Sequence, residues 1–217
     1  MYPRIHPSFR QSQIDLSGGE TLRARFPRFC GVSGMTAVLS PGDVLYLPPF
    51  WFHHVTARTL SISANVWFQS DAFAAVERIF HAAIPFEAEW DEVQALAATQ
   101  TYLAMLVEQA VPRMDAHRFV SHLLHLRYDN IYPPAAREAA KRAGVCDFDA
   151  AGLAVPPAQL RADLQRGIDT LLPLFAELPP GVREIHIGNY IEHLGVWAVG
   201  ETERLYPFLQ SCFPPGL

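Results

Sequence analysis

Cysteine is scarce in this chain of 217 residues, and the three present, Cys30, Cys146 and Cys212, are far apart. An odd number with no short-range pair argues against a disulfide framework or a structural zinc knot, so free thiols in a reducing compartment are expected. Charged residues are only 18% of the chain and the net charge is −5. No basic stripe is present that would favour a nucleic-acid partner. No apolar run is long enough to cross a membrane, and Met1–Pro7 lacks the apolar centre of a signal peptide. These absences make the cytoplasm the default expectation, with the nucleus also open. Also missing are the glycine patterns of P-loops and dinucleotide folds and the nucleophile-elbow serine, which removes the usual nucleotide and hydrolase readings.

Two regions of different character remain. Residues 1–69 are punctuated by Pro3, Pro7, Gly18-Gly19, Pro27, Gly31, Gly34 and Pro41-Gly42, as expected of short strands joined by turns. Val44–Leu47 reads as a strand launched by a type II turn at Pro41-Gly42, with Asp43 as a turn-capping residue. Ser61–Phe68 alternates, with Ile62, Ala64, Val66 and Phe68 on one face and Ser63, Asn65 and Trp67 on the other. If these segments pair about a turn near Thr59, position 53 faces 65 and 51 faces 67.

From Ser70 the period becomes helical. Ser70-Asp71 caps a helix with Phe73, Val76, Phe80 and Ala83 on its apolar face, and further helices are expected over 92–111, 113–127, 158–175, 182–199 and 201–212. Leu160, Leu164, Ile168, Leu171 and Phe175 recur at spacings of three and four, and proline pairs separate or follow several segments.

The chemistry-bearing stretch runs from Pro41 to Phe68: "PGDVLYLPPFWFHHVTARTLSISANVWF". Its glycine, proline and histidine spacing resembles the second cupin motif, although Phe50 stands where a glycine is usual and Ala57 where asparagine is frequent. Together with "HPSFRQSQIDL" and "RFPRF" upstream, it resembles the JmjC/cupin-like Fe(II)/2-oxoglutarate-dependent oxygenases, over roughly the first third of the chain. The resemblance implies an α+β protein: residues 1–69 as the C-terminal half of a double-stranded β-helix (a cupin-type jelly roll), and residues 70–217 as an all-helical region. It implies Fe(II) and 2-oxoglutarate as cofactors, with His53 as a metal ligand. Asn65 and Trp67 would line the co-substrate pocket, and Arg10 and Gln11 would contact substrate, a protein side chain being favoured. A satisfied, half-buried histidine and a polar rim segment are the structural alternatives for His53 and for Arg10–Gln13.

The family's iron site also needs a His-x-Asp or His-x-Glu pair, and none of the nine histidines is followed two positions later by a carboxylate. One imidazole does not hold iron in a catalytic geometry. The expectation is therefore a truncated oxygenase lacking part of its site, or else a non-catalytic remnant whose helices mediate association, including a homodimer. His117, His122 and His125, and likewise His186, Glu192 and His193, complete no recognisable metal motif.

Overall fold

A computed structural model describes residues 1–87, 89–146 and 157–214. The order of elements is α1 (Gly19–Arg25), a short 3-10 turn (Pro27–Gly31), α2 (Asp71–His81), α3 (Glu92–Ala110), α4 (Ala116–Arg127), α5 (Pro134–Arg142), α6 (Pro157–Ala176), α7 (Pro180–Val199) and α8 (Thr202–Ser211).

Local chemistry sets the helix ends. Ser70, Asp91 and Asp115 each accept a hydrogen bond from the backbone N–H three residues on, which satisfies a donor the first helical turn leaves orphaned. Gln94 completes a capping box with Asp91 at the start of α3. Pro180 opens α7, and Gly200 closes it at φ 73°, a left-handed conformation suited to glycine.

α3 is the hub, packing against α4, α6 and α7. α2 lies on α6, while α8 is contacted by α4, α5 and α7. Leu160, Leu164, Ile168, Leu171 and Phe175 of α6 are all buried, as their spacing predicts. They pack in one continuous core with Tyr102, Leu103 and Leu106 of α3 and Ile187, Tyr190 and Ile191 of α7. On α2 Ala75 and Ile79 are buried and the expected Val76 and Phe80 pack partly buried against the core. Phe73 and Ala83 are exposed, so the inward face is rotated slightly from the one expected. α7 meets α8 closely because Gly195 has no side chain: a Cβ there would lie 2.5 Å from Leu205 Cδ1.

An ion pair is buried in this core. Arg127 Nη1 of α4 donates to Glu192 Oε2 of α7 at 2.9 Å, with side chains 6% and 0% exposed. Arg127 also donates to Asn189 Oδ1 and to the Ile185 carbonyl. Gly188 makes room for the guanidinium, since a Cβ there would lie 2.9 Å from Arg127 Nη2. The N-terminal arm docks on the same pair. The Arg4 N–H donates to Glu192 Oε2 at 2.7 Å, and buried Gln13 donates through Nε2 to the carbonyls of Arg127 and Met1. Asn130 Nδ2 in turn donates to Gln13 Oε1.

The half β-helix expected for residues 1–69 is not formed: among the described residues there is no strand, and the architecture is all-helical. Between Gly31 and Gln69 every residue is exposed except Pro48 and Phe50. The alternation at Ile62, Ala64, Val66 and Phe68 is real, but a strand is stabilised by a paired edge and a covered face. Neither is supplied here. Tyr46 and Phe68 stack at 5.8 Å, so the two expected strand segments touch through one aromatic contact without a hydrogen-bonded ladder. The 53–65 and 51–67 pairing is absent for the same reason. The turn itself is present: Gly42 has φ 95°, the Asp43 N–H donates to the Ser40 carbonyl, and Asp43 Oδ2 accepts from the Ser40 N–H.

The expectation of free thiols fails for two of the three cysteines. Cys146 and Cys212 are disulfide-bonded, with Cα atoms 5.1 Å apart, and Cys30 is free and exposed.

Burial separates the two regions energetically. Leu164→Ala in α6 is expected to cost about 2–5 kcal/mol, whereas Ile62→Ala, at a position 100% exposed, should change stability by less than about 0.5 kcal/mol. Urea denaturation of the two variants checks this; a large loss from Ile62→Ala would show that residues 61–68 are packed in solution.

Candidate functional site

His53 is exposed, and its Nδ1 lies 3.0 Å from the Trp51 carbonyl. A carbonyl oxygen only accepts, so this contact places the imidazole proton on Nδ1 and leaves the Nε2 lone pair free. That tautomer suits a metal ligand, because ligating histidines commonly donate the second ring N–H to a carbonyl or carboxylate.

The turn that carries His53 is fixed by its neighbour. Phe50 has φ 63°, a left-handed conformation that disfavours side chains, and it occupies the position where the cupin pattern usually has glycine. Its ring meets His186 of α7 edge-on at 5.4 Å. Phe50 and Pro48 are the residues of 31–69 that are partly buried, and the Phe50 ring ties the His53 turn to the helices. The Trp51 N–H, 3.4 Å from the Pro48 carbonyl, closes the bend.

The other expected site residues do not converge on His53. Asn65 is exposed and Trp67 is 87% exposed. Arg10 lies over the Phe9 ring at 5.3 Å, and Gln11 is exposed, its carbonyl accepting from the Tyr2 N–H. Among the described residues no hydrogen bond links any two of His53, Asn65, Trp67, Arg10 and Gln11. Nor does any group of three His, Cys, Asp or Glu side chains there have the arrangement of a metal site. The residues present therefore fit iron only as one donor, His53, and do not make a complete Fe(II) site.

Glu192 and His186, which complete no metal motif in the sequence, have structural work instead. Burial raises the Glu192 carboxyl above its usual range, opposed by the Arg127 guanidinium. A single glutamate among the apolar residues of 187–199 was the available sequence signal that a buried partner must exist. His186, beside Asn189 Nδ2 at 3.4 Å and under Phe50, is pushed down to about 4 by burial, with the Arg127 charge acting in the same direction.

His186 gives the fold an acid limit. Its folded pKa lies below the ordinary 6.5, so the unfolded chain takes the proton first. The stability from neutral His186 is complete above pH 6.5 and is lost as pH falls toward about 4. Glu192 acts with the opposite sign, favouring the fold below its raised pKa, so the contribution of His186 is isolated by difference. Thermal melts between pH 7.5 and 4.5 should show a shallower acid decline for His186→Gln than for the unsubstituted chain; parallel profiles would contradict this.

Against known proteins, residues 1–73 match the family model described as a cupin-like domain. The chain is 32% identical over 85 residues to a lysine-specific demethylase, JMJ30, of Arabidopsis thaliana, a match covering 33% of this chain and 19% of the relative. It is 39% identical over 56 residues to lysine-specific demethylase 8 of Xenopus tropicalis, covering 26% and 12%. It is 33% identical over 48 residues to the human bifunctional peptidase and (3S)-lysyl hydroxylase JMJD7, covering 22% and 15%. The chain thus spans less than a fifth of the length of these relatives. No solved structure matches it. Over residues 1–73 the chain is therefore similar to cupin-like domains, and the relatives it matches there are named as lysine demethylases and a lysyl hydroxylase.

Proposed function

We propose that this chain contributes to, rather than contains, an oxygenase site of the Fe(II)/2-oxoglutarate type. His53 is the metal donor, Asn65 and Trp67 belong to the co-substrate pocket, and Arg10 and Gln11 contact a substrate, for which a protein side chain is the favoured class. The carboxylate and second histidine come from polypeptide other than these 217 residues, since the sequence contains no His-x-Asp or His-x-Glu pair. When bound, the metal and 2-oxoglutarate supply oxidising chemistry; the part of this chain is to present one neutral imidazole through Nε2. The observation that carries the reading is the Nδ1 contact of His53 with the Trp51 carbonyl, which sets the tautomer a ligand requires.

A second reading is favoured by the packing. The buried core lies almost wholly in the helices, while residues 31–69 contribute little to it. On this reading the chain is a helical association module, as a homodimer or with another protein, and the cupin-like segment has no catalytic part.

Anaerobic Fe(II) titration and 2-oxoglutarate turnover distinguish the two. The first reading predicts weak Fe(II) binding by the chain, lost in His53→Ala, with no turnover by the chain alone. Turnover that survives His53→Ala would contradict the assignment of His53. Absence of any Fe(II) binding would favour the association module.

A further inference from the structure

Of the helices packed into the bundle, α2 to α8, α5 buries the fewest residues. Its sequence, Pro134–Arg142, is alanine- and charge-rich, Ala140 is its only buried residue, and no side chain caps its first turn. It packs on α8. Its polar tie is an ion pair from Arg137 Nη1 to Asp129 Oδ1 at 2.7 Å, partly exposed on both sides. Just ahead of it Tyr132 stacks on Tyr206 of α8 at 4.7 Å. The covalent tie is at the far end, where Cys146, four residues past α5, is bonded to Cys212 at the end of α8.

The two ends of that bond are held very differently. Cys212 is fully buried, and the chain around it is pinned to other helices without the disulfide. Gln100 of α3 donates to the Cys212 carbonyl, and His117 Nδ1 of α4 donates to the Phe213 carbonyl at 2.6 Å. Phe208 and Phe213 also pack edge to face in the core. Cys146 has weaker support: with Val145 it packs only partly buried against the core, and Ala143 and Gly144 before it are exposed. Breaking the bond therefore leaves α8 pinned by its own contacts and removes the one covalent restraint on α5. The helix then keeps only Ala140, the partly buried Val145 and Cys146, the Tyr132–Tyr206 stack and a partly exposed ion pair.

We propose that the Cys146–Cys212 bond is a reversible redox latch that holds α5 against α8. A dithiol reductant opens it. One thiolate of the reductant attacks Cys146 Sγ, the more accessible sulfur, and the S–S electron pair leaves on Cys212 Sγ, which takes up a proton. The second reductant thiolate then displaces Cys146 from the mixed disulfide, and Cys146 is protonated in turn. Two electrons and two protons pass to the protein, and the reductant becomes a disulfide. The opened state uncovers the α8 surface around Tyr206 and the Cys212 thiol.

Hydrogen–deuterium exchange with and without dithiothreitol tests this, with thiol titration run in parallel. The oxidised chain should titrate one thiol, Cys30, and the reduced chain three. Reduction should accelerate exchange in residues 134–142 at least tenfold while α3, α6 and α7 keep their protection, and oxidised dithiothreitol should reverse the change. Cys146→Ser should mimic the reduced state without reductant; should that variant fail to fold, reduction of the unsubstituted chain still decides. Three thiols in protein kept from reductant, and refractory to oxidant, would overturn the proposal. So would unchanged exchange in α5 once three thiols titrate, or loss of protection throughout the bundle, which would make the bond a global staple.

Discussion

Arg127 and Glu192 meet where α4, α7 and the N-terminal arm converge, and almost no water reaches them. Desolvating two charges is expensive, and the cost is offset only if their remaining hydrogen-bonding capacity is used. Arg127 spends its donors on Glu192, Asn189 and the Ile185 carbonyl. Glu192 Oε2 is shared between Arg127 and the Arg4 N–H, while Oε1 makes no hydrogen bond among the described residues. The arrangement needs a glycine at 188 and an arm that returns to deliver Arg4 and Gln13. The pair thus fixes the α4–α7 contact and is also the anchor by which the family-matching segment is attached to the helices.

That attachment divides the chain. Residues 1–13 are tied to the bundle by backbone and side-chain hydrogen bonds, whereas residues 31–69 touch it chiefly through Phe50 against His186. The site proposed at His53 therefore rests on a turn with a single aromatic tether, and the residues expected to share its pocket are spread along exposed chain. A site of this kind needs further structure to hold its members together, consistent with a chain that donates one metal ligand to a larger assembly. Fe(II) and 2-oxoglutarate enter only through the proposed function, in which this chain supplies one donor, His53.

Much of the helical part was legible in the sequence because its signal is local. The period-3.6 recurrence from Leu160 to Phe175 marks a buried face wherever the helix packs, and Ser70 marks a start by chemistry confined to one turn. α5 and α1 escaped because they bury one residue and none, so no apolar stripe exists to read. The strand pattern of 61–68 misled because alternation describes a side-chain order and a sheet requires a second strand and a covered face; those are non-local. The disulfide was hidden by its separation of 66 residues, which only the α5–α8 packing brings together. For the candidate site, spacing alone singles out His53, and Phe50 stands out as a departure from the motif. Its meaning became clear only from the positive φ that explains why glycine is usual there.

The central claim is that the buried pair, with the arm docked on it, holds the two regions together. It is tested most directly by urea denaturation of Arg127→Met, Glu192→Leu and the double variant, with exchange of the Arg4 amide followed in each. The account predicts that Arg127→Met alone costs about 3–5 kcal/mol, because it strands a buried carboxylate, and that the double variant loses much less than the sum of the singles. It also predicts that the Arg4 amide loses protection whenever Glu192 is replaced. Additive losses within about 0.5 kcal/mol, with Arg4 still protected in Glu192→Leu, would contradict it.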